Sequence, residues 1–182
     1  MDAIGHEFWA VLSVAGRVCV GLVFVLAGVQ KAQHWKLLSG VISNYRLLPR
    51  FTVPVVSALL PPVELVLGLL LLSAQVMPWA QFAAIMLLVL FATAMAINIR
   101  RGRAHIDCGC GQAFLKQSLR WSLVARNGAL ALLLLPSLST AAMPMSLVLS
   151  GVTGGLAFFL LTLVLNTLSA LPPVEVRGHR FA

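Results

Sequence analysis

Residues 79–99 read WAQFAAIMLLVLFATAMAINI, twenty-one positions without an Asp, Glu, Lys or Arg. Coiled as a helix, such a run is ~30 Å long, the thickness of the hydrocarbon core of a bilayer. Four further stretches have the same character, at about 9–30, 53–74, 119–135 and 143–168. The fourth of the five is short and reaches spanning length only by using Leu119 and Trp121 at its loop end. The whole chain of 182 residues is 60% hydrophobic and 10% charged, with a mean hydropathy of +0.97. That composition lies far outside the range of soluble domains. The expectation is an all-α polytopic membrane protein, a single membrane domain over residues 1–182, with residues 100–118 as the Cys-Gly-Cys loop between its third and fourth spans.

Five spans sort the charges onto two faces. Lys31, Lys36, Arg46, Arg50, Arg100, Arg101, Arg103, Lys116, Arg120, Arg177 and Arg180 fall on one, while the other carries Asp2 and Glu7 and no lysine or arginine. The positive-inside rule then sets the N-terminus outside and the 100–118 loop and C-terminus in the cytoplasm. Basic residues in loops beside spans meet anionic headgroups, which accounts for the net charge of +8 without nucleic acid. The acidic start, with no small-x-small site after the first apolar run, argues that the first helix is retained. The connections at 75–78 and 136–142 are short and uncharged, so spans two–three and four–five should be antiparallel hairpins.

Within the spans, small and polar residues recur on one face. Arg17, Gly21, Phe24, Gly28 and Lys31 are spaced 4-3-4-3 in the first, and Ser57, Pro61, Glu64, Gly68 and Gln75 keep a similar rhythm in the second. Small residues let membrane helices approach closely, so both stripes should line the interior. Pro61-Pro62 should bend the second span just before Glu64. Arg17, Glu64 and Arg126 are charges inside spans, costly in lipid unless partnered. Counting residues in from the span ends places Glu64 at a depth that Arg17 or Arg126 can answer. Asn98 and Asn127 lie toward the cysteine-bearing face, where amides hydrogen-bond between helices, and Asn44 and Tyr45 are placed to cover that face. Cys19, turned away from the polar stripe, reads as a small apolar filler. Trp9, Trp35, Trp79 and Trp121 stand near span ends as interfacial anchors. All four histidines, His6, His34, His105 and His179, are outside the spans, which excludes a mid-membrane haem held by paired histidines. No phosphate loop or nucleotide fingerprint occurs.

The chemistry concentrates in His105-Ile106-Asp107-Cys108-Gly109-Cys110-Gly111-Gln112. Two thiols one glycine apart can close a small, strained disulfide, and a strained, exposed disulfide is easily reduced. Arg101, Arg103 or Arg126 would supply the positive field that favours a thiolate. The alternatives are a metal site using His105, Asp107, Cys108 and Cys110, which has no second Cys or His pair to complete it, and chemically quiet loop cysteines.

Together, Arg17, Ala27-Gly28, Lys31, Leu47-Leu48-Pro49, Pro61-Pro62-Val63-Glu64 with Gly68, Arg100-Arg101-Gly102-Arg103 leading into Asp107-Cys108-Gly109-Cys110-Gly111, and Arg126-Asn127 resemble the MauE branch of the DoxX-like membrane proteins. The resemblance covers roughly residues 10–135, and its most specific element is the Cys-Gly-Cys loop between the third and fourth spans. It implies a four-helix DoxX-like bundle plus a fifth transmembrane helix, in a bacterial inner membrane. The implied role is thiol–disulfide exchange that supports maturation of the disulfide-rich small subunit of methylamine dehydrogenase, with a thioredoxin-like, MauD-like partner. Carried onto this chain, Cys108 and Cys110 become the exchanging pair, with Arg126, Asn127, Glu64, Arg17, Asp107 and Asn98 in support. Many relatives have phenylalanine after the second cysteine, where this chain has Gly111-Gln112. The charge pattern also sets the pair on the side away from a periplasmic client. The alternative function is a non-catalytic scaffold or a quinone-linked subunit of an oxidoreductase complex. Quinone is the one cofactor that enters, and it enters only with that alternative.

Overall fold

The computed structural model describes residues 2–73, 77–106, 118–139 and 144–170. Every regular element among them is a helix: α1 (Asp2–Gln33), α2 (Trp35–Tyr45), α3 (Val53–Leu72), α4 (Pro78–Arg100), α5 (Trp121–Leu134) and α6 (Met145–Ala170). Five are long and apolar enough to cross a membrane, with α5 reaching that length through the 3₁₀ turn Leu135–Ser139. Pro136 explains the change of winding, because it has no N–H to continue the α-helical ladder. The all-α polytopic expectation holds.

Helix α1 is central. It packs chiefly against α3 and α6, and also meets α5 and the 3₁₀ turn; α4 packs mainly on α5. Glycine makes the α1–α3 contact possible. A Cβ on Gly68 would lie 2.8 Å from the Val25 nitrogen and 2.9 Å from the Gly21 carbonyl oxygen, and one on Gly28 would lie 3.0 Å from the Pro61 oxygen. Gly21 therefore faces Gly68 and Gly28 faces Pro61, so the helices run antiparallel with their small-residue stripes in contact, as the spacing predicts. The α1–α6 contact uses the same device in parallel: Gly151 seats on Val11 and Val14, and Gly155 on Ala15 and Val18. α3 continues as one helix through Pro61 and Pro62.

Two clusters fill the interior. The larger joins Cys19, Val20, Phe24, Leu67, Leu71, Ala84, Leu88, Leu130 and Leu134, from α1, α3, α4 and α5. Cys19 is fully buried there, a packing residue as expected. The smaller, toward the charged end of the bundle, joins Met95, Ile106, Leu119 and Leu123, with Phe91, Ile99, Val124 and Tyr45 against it.

Helix α2 is the element the apolar runs do not announce. It begins after His34 and ends at Arg46, whose backbone is left-handed at φ 48°. Leu38 is buried and Val41, Ile42 and Tyr45 are half-buried. These positions recur at i, i+3, i+4 and i+7, one face of a helix, and that face turns inward against α3. Tyr45 thereby reaches the smaller cluster, which places it over the cysteine-bearing face as the sequence suggested.

Candidate functional site

Glu64 is 1% exposed and Lys31 9%. Lys31 Nζ donates to both carboxylate oxygens of Glu64, at 2.5 Å and 2.7 Å. The same ammonium lies 5.2 Å from the centroid of the Phe91 ring, so an aromatic face on α4 covers its remaining side. Helix geometry produces this meeting. Side chains tilt toward the N-terminus of their own helix, and α1 and α3 are antiparallel. Lys31 therefore leans back over Gly28 while Glu64 leans over Pro61, and those two residues face each other. Gly28 has no side chain to block the path.

This corrects the pairing expected from depth. Arg17 does not serve Glu64: its Nε donates to the Leu71 carbonyl at 3.4 Å and its Nη2 to the Ser73 carbonyl at 2.5 Å. It caps the C-terminal end of α3, where free carbonyls and the negative end of the helix dipole favour a cation. Leu71 and Ser73 are seven and nine positions beyond Glu64, a displacement of ~10–14 Å along the axis. Arg126 turns the other way, its Nη1 donating to Asn166 Oδ1 on α6 at 2.5 Å. Its Nε is buried without a hydrogen-bond partner.

The asparagines also differ from expectation. Asn98 Nδ2 donates to the Ala94 carbonyl at 3.0 Å, and Asn127 Nδ2 to the Leu123 carbonyl at 3.2 Å. Both amides bond back onto their own helices. Buried amides four residues from a carbonyl of the same turn can satisfy a donor locally. Asn98 is fully buried, and among the described residues its Oδ1 has no partner.

Phe91, Met95 and Asn98 follow one another along α4 at i, i+4 and i+7, so they form a single interior stripe from the ion pair toward the end of the helix. The chain then leaves α4 through Gly102, at φ 73°, with the Arg103 nitrogen bonded to the Asn98 carbonyl. Ile106 and Leu119 are both buried in the smaller cluster, and the Leu119 nitrogen donates to the Ile106 carbonyl at 3.1 Å. The two ends of the cysteine-bearing segment are thus tied to each other and to α4 and α5. Asp107, Cys108 and Cys110 lie outside the described residues, as does Gln75. His105 is exposed, and among the described residues no group of three His, Cys, Asp or Glu could hold a metal ion. Lys31 is the partner of Glu64 that depth counting missed, although its place in the α1 stripe with Gly28 was legible.

A bundle of five membrane-length helices with a buried ion pair and a clamped polar loop after α4 defines a polytopic membrane protein of small size. The family pattern described as "Methylamine utilisation protein MauE" matches residues 9–142. The chain is 43% identical over 144 residues to the methylamine utilization protein MauE of Paracoccus denitrificans, covering 78% of this chain and 76% of that one. It is 36% identical to the protein of the same name from Methylorubrum extorquens (80% and 81% covered), and 34% identical to that of Paracoccus versutus (86% of each). The chain belongs to the MauE family. No solved structure matches it.

Proposed function

We propose that this protein serves methylamine utilisation as a membrane thiol–disulfide exchange factor, with Cys108 and Cys110 as the exchanging pair. Its client would be the small subunit of methylamine dehydrogenase and its partner a thioredoxin-like, MauD-like protein. The observation that supports the reading is the clamp between Ile106 and Leu119, the residues that flank the two-cysteine sequence in a chain of this family. In the exchange one thiolate attacks the partner's disulfide, and the second thiolate displaces the partner from the mixed disulfide. Two electrons pass to the partner, which leaves as a dithiol, and Cys108 and Cys110 remain joined. Arg101 and Arg103, close to the pair in sequence, would favour the thiolate form.

The charge distribution supports an inner-membrane orientation with the N-terminus outside and the C-terminus cytoplasmic. The pair would then reach a periplasmic client through the bundle or through a relay. Replacing Cys108 or Cys110 with serine should abolish client maturation while the protein still accumulates in the membrane. Maturation that survives either replacement would leave a scaffold role instead. A membrane-impermeant thiol reagent, applied to single-cysteine variants in intact cells and after lysis, reports the side from which each thiol is reached.

A further inference from the structure

Three exposed doublets of a base and an aromatic ring stand at the charged end of the bundle: Trp35-Lys36 at the start of α2, Arg50-Phe51 before α3, and Arg120-Trp121 at the start of α5. They come from three different elements. Phe51 is 80% exposed, more than any other large hydrophobic side chain described. Beyond Phe51, α3 presents exposed Val55, Leu59 and Val66, and beyond Trp121, α5 presents Ala125, Ala129 and Leu132. These outward apolar stripes belong to helices of membrane length, so each ring sits where the lipid-facing surface meets the charged end. The other end is different. It exposes Phe8, Trp9, Trp79 and Phe82, none of them next to a lysine or arginine in sequence, and the base at that end, Arg17, is taken up by the carbonyls of Leu71 and Ser73.

We infer that the three doublets form a binding surface for anionic phospholipid, each ring lodging at the boundary of headgroup and acyl chain and each base reaching the phosphate. Aromatic rings alone would anchor both ends equally, because indole and phenyl rings favour any membrane interface. Exposed base-aromatic doublets at one end add selectivity for negative headgroups there, since a base near an anionic surface gains ~1 kcal/mol. Arg46, exposed at the C-terminal end of α2, adds a further base between the first doublet and the second in sequence. Arg100 and Arg101 are equally exposed but have no aromatic neighbour in sequence, which makes them the internal comparison.

The test extracts the full-length protein from mixed membranes of phosphatidylcholine and phosphatidylglycerol and counts the retained lipids by native mass spectrometry. Wild-type protein should retain phosphatidylglycerol in excess of its share of the membrane. Lys36→Gln, Arg50→Gln and Arg120→Gln, made singly, should each lower that enrichment by about fivefold. Arg100→Gln with Arg101→Gln should lower it less. No enrichment in the wild type would overturn the inference. An equal loss with the Arg100 and Arg101 variants would reduce it to scattered charge. Displacement of the lipid by millimolar inorganic phosphate would assign the surface to free anions, and a dimer lost in the doublet variants would assign it to a second copy of this chain.

Discussion

Lys31 and Glu64 meet over the Gly28–Pro61 crossing, each leaning toward the N-terminus of its own helix, and close a salt bridge that is almost wholly buried. An ion pair in this position is expensive to half-remove. Glu64→Leu leaves an ammonium in the interior and should cost ~3–5 kcal/mol, and Lys31→Met should cost a similar amount by stranding the carboxylate. The combination Lys31→Met with Glu64→Leu removes both charges at nearly constant volume and should regain most of that stability. Thermal melts in detergent of the four proteins of this cycle measure the coupling. A double variant as weak as the sum of the singles would show that the pair contributes nothing specific.

Arg17 is predicted to act independently of that pair. It caps α3 through the carbonyls of Leu71 and Ser73, so Arg17→Leu should cost ~1–3 kcal/mol from lost charged hydrogen bonds. Because the cap lies ~10–14 Å along α3 from Glu64, combining Arg17→Leu with Glu64→Ala should give additive losses within ~0.5 kcal/mol. Strong coupling between the two substitutions would contradict the geometry.

Close approach of α1 and α3 makes a third expectation. Gly68→Ala places a methyl group against the Val25 nitrogen and the Gly21 oxygen, both backbone atoms that cannot swing aside. The helices must separate, at a cost of ~1–3 kcal/mol. Gly40→Ala is the contrasting change: it sits inside α2 with nothing within 4 Å of the new Cβ, so it should stabilise by ~0.5–1 kcal/mol through the lost flexibility of glycine. Melting temperatures should move in opposite directions.

What the sequence makes legible follows from physics that acts locally. A run such as residues 79–99 announces a span because length and apolarity alone decide it. The Gly21, Gly28 and Gly68 stripes announce contact faces because only small residues permit that approach. Partner choice is less local. Glu64 lies within reach of several cations by depth, and the choice of Lys31 depends on the register of α1 against α3 and on the tilt of both side chains, neither visible before the helices are placed. Helix α2 was legible in principle from Leu38, Val41, Ile42 and Tyr45, but Lys36, Gly40 and Asn44 interrupt the apolar signal. Asn98 and Asn127 show the same limit, since a buried amide bonds across helices only when no nearer carbonyl takes its donor.

The loop base yields the last expectation. Leu119 is buried between Met95 and Leu123 in the cluster that also holds Ile106, and its nitrogen ties the two ends of the cysteine-bearing segment together. Leu119→Ala should open a cavity and cost ~2–5 kcal/mol. It should also act locally, because the cluster it weakens contains the anchor two residues before Cys108. Leu88→Ala supplies the control: Leu88 is as deeply buried, but in the larger cluster away from the loop base, and should cost a comparable amount. Alkylation of Cys108 and Cys110 in reduced protein, followed by mass spectrometry well below the melting temperature, should accelerate with Leu119→Ala and stay near the wild-type rate with Leu88→Ala, while Cys19 remains protected in both. Equal acceleration by the two substitutions would mean that thiol access follows global stability, and that the clamp at Ile106 and Leu119 has no separate control over the cysteines.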